Sequence, residues 1–540
     1  MVKYISIIWN KGLSNVDTNS VYLTSAEKDK YALFLDIINV KWDELPIKKR
    51  MSMAKKGEAL IDDVNLKQVA TLLDRNYSSL YNTYVSIVGD LQAILGTEED
   101  DVKRLFAIPS DVYHLYLVQH SDIYDFVQIL LRGGDISFKT FLAEHDSSKA
   151  TVLRHLKQVR DLTRAFNLRV SYEPIRLEGD EKTIRLVLSA LYWLASGGHQ
   201  WLFEEINHEC VLSAFDYVCD EFQLQKPNLL TREIGATILA VTYYRVMAGA
   251  VVQPDEKLAT IRYPYPNLIS DLLAADFTKE STGLRTCLAE LTLTEGRSEA
   301  AGLFFLLRYC PVPLRSITST KVTADWADER YIPEIHRFVT AFLERIPFDI
   351  MHELEISQHT YDIFKNALLT TTVTTYILGM DATSVVFNEL VIRMPQLKPN
   401  ELLHKKISDT VDYLLFEPAF SFLASGRENL IKAYYNLIQQ VIQQYHPVSQ
   451  VKVALVIEQD YIGYMDILTA LDNIKYVAVS TTDEALRDAD LIVRTSSIAL
   501  PENVNPEALY FTWRLNASSD HYARLYGIIH ELWMQKGTQA

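Results

Sequence analysis

The stretch Ser147–Arg185, SSKATVLRHLKQVRDLTRAFNLRVSYEPIRLEGDEKTIR, constrains the chain more than any other, because its hydrophobic period changes once and its charge is one-sided. Val152, Leu156, Val159, Leu162 and Phe166 fall at helical spacing and make one apolar face. Ser147 or Ser148 opens the helix, its hydroxyl meeting a backbone N–H that has no partner within the helix. The remaining positions carry Lys149, Thr151, Arg154, His155, Lys157, Arg160 and Arg164, with Asp161 the lone acid. A helix destined only for a protein core usually mixes signs on its outer face; a duplex, with one phosphate per ~1.7 Å of axis, supplies the complement to this one. After Asn167 the residues alternate, Leu168, Val170 and Tyr172 against Arg169 and Ser171, until Pro174 turns the chain and Ile175-Arg176-Leu177 returns. Helix followed by basic hairpin is winged-helix order. It predicts Ser148, Lys149, Thr151, Arg154, His155 and Lys157 in or beside the major groove of double-stranded DNA, with packing an equal reading for His155, and Arg160, Arg169 and Arg176 on phosphates, the last two from the wing.

A net charge of −16 over 540 residues argues against a protein that coats nucleic acid with its whole surface. Between His145 and Arg176, however, seven Lys/Arg face three Asp/Glu, so the sign reverses locally. The length suggests three to five domains, and 48% hydrophobic residues supply ample cores. Cys210, Cys219, Cys287 and Cys310 lack metal-ligand spacing, and few cysteines without a secretory segment point to a reducing cytoplasm. The apolar run Ile238–Val252 holds Tyr243, Tyr244 and Arg245 and is too short to span a bilayer, so no membrane partner is expected. His352-Glu353 with His359 looks zinc-like, but its second histidine is seven residues on, where a metal helix needs four. With no Walker A loop, no G-x-S-x-G and no G-x-G-x-x-G, the chain reads as no enzyme, with no catalytic residues, metal or cofactor.

Taken in order, the chain predicts a mainly α, multidomain protein. Residues 1–55 hold one helix, Ser25–Val40, and a basic patch, Lys48-Lys49-Arg50 with Lys55-Lys56, that reads as a phosphate contact or a solvated linker. Residues 56–105 carry a first helix-turn-helix: Leu66, Val69, Ala70 and Leu73, a connection at Arg75-Asn76-Tyr77, then a helix to Leu95 that presents Ser78, Ser79 and Tyr81 to DNA or belongs to an ordinary helical hairpin. Residues 106–182 form the winged helix, in which Ile136, Phe138, Phe141 and Leu142 supply the support helix. Two helical bundles follow, 183–315 and 316–445, divided by a loop around Val312–Asp328. From 448 to 540 strands alternate with helices, beginning with Val451–Ile457, and indicate a small open parallel sheet.

This order resembles the Mga/AtxA family of virulence-type transcription regulators of Gram-positive bacteria, most specifically at Ser148–Arg185, where S-x-x-T-V-x-R-x-L-K, F-x-L-x-V-S and L-x-G-D-E-x-x-I-R look like the family's winged helix and its exit. The resemblance implies that the bundles are phosphotransferase-regulation (PRD) domains phosphorylated on histidine by a phosphotransferase-system phosphocarrier. It implies too that the last domain resembles an enzyme-IIB fold and makes a homodimer. His359 stands where the pattern places a histidine at a helix start, though Asn366 replaces the usual downstream arginine. In the first bundle the corresponding helix keeps Arg245 but has Ile238 in the histidine place, which leaves His208, with His199, as the alternatives. A working enzyme-IIB domain carries phosphate on a cysteine after its first strand; here that loop reads Glu458-Gln459-Asp460-Tyr461 and residues 448–540 contain no cysteine, so the domain is expected to be catalytically dead. Rival readings are a phosphotransferase relay component, an RNA-binding antiterminator and a protein-binding scaffold.

Overall fold

The computed structural model describes residues 21–56, 61–224, 228–264, 268–269, 286, 289–309, 329–346, 357–382, 399–445, 450–457, 465–495, 501, 504–514 and 517–539. The first helix, α1 (Ser25–Glu44), opens on a capping box in which Thr24 and Glu27 exchange side-chain and backbone hydrogen bonds. The basic patch continues as a helix, α2 (Ile47–Lys56), so the linker reading of it is corrected. Next come α3 (Leu66–Leu72), α4 (Tyr77–Leu95) and the single turn α5 (Val102–Leu105). The α1 helix packs along α4 and reaches α6 (Ser110–Gln119), with Phe34, Phe106 and Tyr113 meeting at the junction.

The winged unit continues through α7 (Asp122–Arg132), α8 (Phe138–Glu144), α9 (Lys149–His155), α10 (Lys157–Ala165) and a hairpin, β1 (Arg169–Tyr172) with β2 (Ile175–Glu178). The hairpin is antiparallel and pairs Arg169 with Glu178 and Tyr172 with Ile175. Its exit depends on Gly179, whose φ is +146° and where a Cβ would lie 2.5 Å from the Leu168 side chain.

The helical body comprises α11 (Glu181–Ser196), α12 (His208–Glu221), α13 (Leu229–Met247), α14 (Leu293–Tyr309), α15 (Pro333–Arg345), α16 (Gln358–Leu378), α17 (Glu401–Leu415) and α18 (Arg427–Tyr445). Asp180 caps α11 by accepting the Thr183 N–H, and Ser357 caps α16 by accepting that of Thr360. The apolar run from Ile238 enters the last part of α13, where Ile238, Ala240, Val241 and Val246 are buried. One continuous hydrophobic core extends from Val21 to Ile438, joining the N-terminal helices, winged unit and body. The loop around Val312–Asp328 lies outside the described residues.

The C-terminal segment has cores of its own. It contains β3 (Val451–Val456), α19 (Met465–Asp472), β4 (Val477–Ser480), β5 (Leu491–Arg494), β6 (Leu509–Thr512) and α20 (Ser519–Gln539). The strands are all parallel in the order β4-β3-β5-β6, the small parallel sheet expected from the alternating pattern. Val451, Val453, Ala454 and Leu455 are buried, as a continuous apolar central strand must be. The Asp520 side chain accepts the Ile47 N–H at the start of α2, so the C-terminal segment touches the N-terminal helices. The loop Glu458–Tyr461 lies outside the described residues.

Candidate nucleic-acid interface

The expected continuous recognition helix is interrupted at Leu156, whose ψ of −1° separates α9 from α10. Val152, Leu156, Val159, Leu162 and Phe166 are all buried on one side of the pair. Ser148 caps α9, its Oγ accepting the Thr151 N–H. Lys149, Arg154 and Lys157, with Arg169 on the wing, are exposed, and none of the four has a carboxylate partner among the described residues. These four make a cationic surface of the kind phosphates seek.

Other site residues are already engaged. His155, read for the groove or for packing, packs: its Nδ1 lies 2.8 Å from Asp122 Oδ2, and 21% of its side chain is exposed. It fastens the end of α9 to α7. Arg160, read as a phosphate contact, donates from Nη2 to the Leu153 carbonyl at 3.0 Å, across the helix break. Arg176 is exposed on the wing but shares Glu178, and Arg164 shares Asp161. The sequence reading missed Asp122 and Asp125, the acids of α7's first turn; the cap Ser121 was the available signal. Asp125 sits 3.8 Å from His145, and burial pushes its carboxyl up while His145 pulls it back.

The first helix-turn-helix places Ser78, Ser79 and Tyr81 on the exposed side of α4. Asn76 caps that helix, and Tyr81 stacks on Tyr77 with ring centroids 6.2 Å apart. The α4 segment contains no Lys or Arg, and nearby Arg75 pairs with Asp29 at 2.8 Å. An exposed aromatic face without cations is a poor match for phosphates.

Of the candidate histidines, His208 lies at the start of α12, its Nε2 2.8 Å from Glu233 Oε2 and its ring stacked on Trp201. His199 pairs with Asp111 at 3.3 Å. The two histidines line one cavity. His359 belongs to the first turn of α16, but its side chain, like His352, lies outside the described residues. No group of three metal-ligating side chains occurs among the described residues, and no helix among them is long and apolar enough to cross a membrane.

A buried ionic network joins the winged unit to the body. Arg245 in α13 holds Glu181 through Nε and Nη2 and donates from Nη1 to the Leu130 carbonyl of α7. Arg185 bonds Glu181 and, through two nitrogens, Glu299 of α14. Lys182 spans Asp180 and Asp255; burial lowers its pKa, but the two carboxylates outweigh that and the net shift is upward.

The geometry defines a winged helix-turn-helix unit seated on a helical body. Residues 110–192 match the family model described as the Mga helix-turn-helix domain, so the resemblance read at Ser148–Arg185 is shown over that segment. A stretch of 164 residues is 21% identical to a Streptococcus pneumoniae serotype 4 protein named "Putative trans-acting regulator". That stretch covers 30% of this chain and 31% of the relative's length.

Proposed function

We propose that this chain is a DNA-binding transcription regulator that reads duplex DNA through α9 and the wing. The unpaired cationic surface of Lys149, Arg154, Lys157 and Arg169, on a segment matching the Mga helix-turn-helix domain, carries the reading. Phosphate contacts set affinity and register, while base edges met by Thr151 and its neighbours set specificity. His155 and Arg160 then act from behind, holding α9 at its angle. Gel-shift titrations across a salt series test the reading: Arg154→Ala/Lys157→Ala should weaken binding and flatten the log–log salt slope by about 1.8, at about 0.9 for each phosphate left without its cation. Absence of wild-type binding at low salt would sink it, and would return attention to the scaffold and relay readings.

The regulatory half of the proposal is that the bundles 183–315 and 316–445 are phosphotransferase-regulation domains and that 448–540 is an enzyme-IIB-like domain without catalysis. The parallel order β4-β3-β5-β6 and the lack of cysteine from 448 onward support the second point. For the first, phosphorylation of His208 Nε2 by a phosphocarrier would expel Glu233, since a dianion cannot share that contact, and so part α12 from α13. His199 and His359 are the other acceptors proposed. The protein is further proposed to act as a cytoplasmic homodimer joined through its C-terminal domain.

A further inference from the structure

The cavity shared by α11, α12, α13 and the loop after Gly197 has a volume of about 150 Å³. A space of that size admits one six-membered ring. Its walls combine two indoles, Trp193 and Trp201, with polar groups from Gln200, His208, Glu233 and Thr237. The loop closes over the Trp193 ring because residue 198 is glycine: its φ is +78°, and a Cβ there would stand 2.8 Å from the indole. Thr237 is buried and donates its hydroxyl to the Glu233 carbonyl at 3.0 Å, which leaves its oxygen as an acceptor toward the cavity. Glu233 commits one carboxylate oxygen to His208 at 2.8 Å, and its other oxygen has no hydrogen bond among the described residues. Exposed Gly198 and Gln200 form the rim, so a ligand has a way in.

We propose that this cavity binds a single uncharged polyhydroxylated ring, a free monosaccharide or a cyclitol. The indole walls give apolar contact to the C–H groups of such a ring, while the carboxylate, hydroxyl and amide take its hydroxyls. A phosphate or carboxylate ligand is disfavoured: no Lys or Arg lines the cavity, and Glu233 would repel it. The cavity also touches the winged unit, since Tyr192 in its wall donates its hydroxyl to Gln128 of α7 at 2.8 Å.

The test uses the full chain, with intrinsic tryptophan fluorescence and thermal melts. The probes are D-glucose, D-galactose, D-mannose and myo-inositol, with inorganic phosphate and tetramethylammonium as the charged alternatives. At least one polyol should give a saturable fluorescence change and raise the melting temperature, since a ligand that binds only the folded state stabilises it in proportion to ln(1 + [L]/Kd). Glu233→Gln, which keeps the volume, should weaken that response at least fivefold. Should Glu233→Gln melt early without ligand, Thr237→Val supplies the same reading from the opposite wall. A saturable response to none of the polyols overturns the proposal. So does a response that both variants leave intact, or one confined to phosphate or tetramethylammonium.

Discussion

Arg185 is fully buried, and its guanidinium is matched on every side: Nε on Glu181, Nη1 and Nη2 on Glu299, Nη2 also on the Ala250 carbonyl. Burial alone would lower its pKa, but Glu299 and Glu181 reverse the sign and the net shift is upward. A pair taken this far from water is weak evidence of net stabilisation, yet removing one partner is costly because the other charge is stranded. Arg185→Met should therefore destabilise the chain by about 3–5 kcal/mol, read from urea denaturation. Arg185→Met/Glu299→Gln should recover much of that stability, because Glu181 keeps Arg245 as its partner and the amide oxygen keeps the Val252 N–H. Equal destabilisation in the single and double variants would mean that the arginine matters by its shape and not by its charge. The sequence L-x-G-D-E-x-x-I-R marked Arg185 as part of a motif, but its chief partner lies 114 positions further on, at Glu299. No local pattern identifies a partner at that separation. The same limit applied to His155, whose partner Asp122 stands 33 positions earlier, on α7.

At the scale of elements, what the sequence made legible were periods, caps and changes of pattern. Ser148 was legible as a helix opener and accepts a backbone N–H there; Asn76 and Asp180 do the same at their own helix starts, though the sequence reading placed them in a connection and a motif. The turn between β1 and β2 was legible from Pro174 and the return of alternation. The break between α9 and α10 was not, because it contains neither proline nor glycine; Leu156 turns there to keep its side chain in the core while α10 changes direction. Arg160 takes up the Leu153 carbonyl across the break and so fixes the angle at which α9 is presented. That role separates it from a phosphate ligand by a measurable sign. Arg160→Met should weaken duplex binding with the salt slope unchanged, whereas removing a phosphate ligand would reduce the slope by about 1. A reduced slope in the gel-shift series would restore Arg160 to the DNA surface.

For the molecule as a whole, a charge of −16 and a local cationic face are compatible because the acids are concentrated elsewhere, many of them paired or placed in helix first turns. Such a body repels DNA except where α9 and the wing present themselves, which favours one mode of approach. The proposed homodimer would bring two such units to one duplex, and the C-terminal sheet offers a place to join them. Among the described residues the β6 strand is an edge strand, hydrogen-bonded in the sheet to β5 alone, with Leu509 and Tyr510 about half exposed. Met534 of α20 is exposed in the same segment of the chain. An edge strand with apolar exposed side chains is a template for a second copy unless something covers it. Sedimentation velocity at micromolar concentration should show wild-type chain as a dimer and Leu509→Glu/Tyr510→Lys as a monomer with unaltered melting. A wild type that stays monomeric at every concentration removes dimerisation from the mechanism. A variant that remains dimeric moves the interface away from β6, and the exposed aromatic face of α4, Tyr77 and Tyr81, becomes the next surface to change.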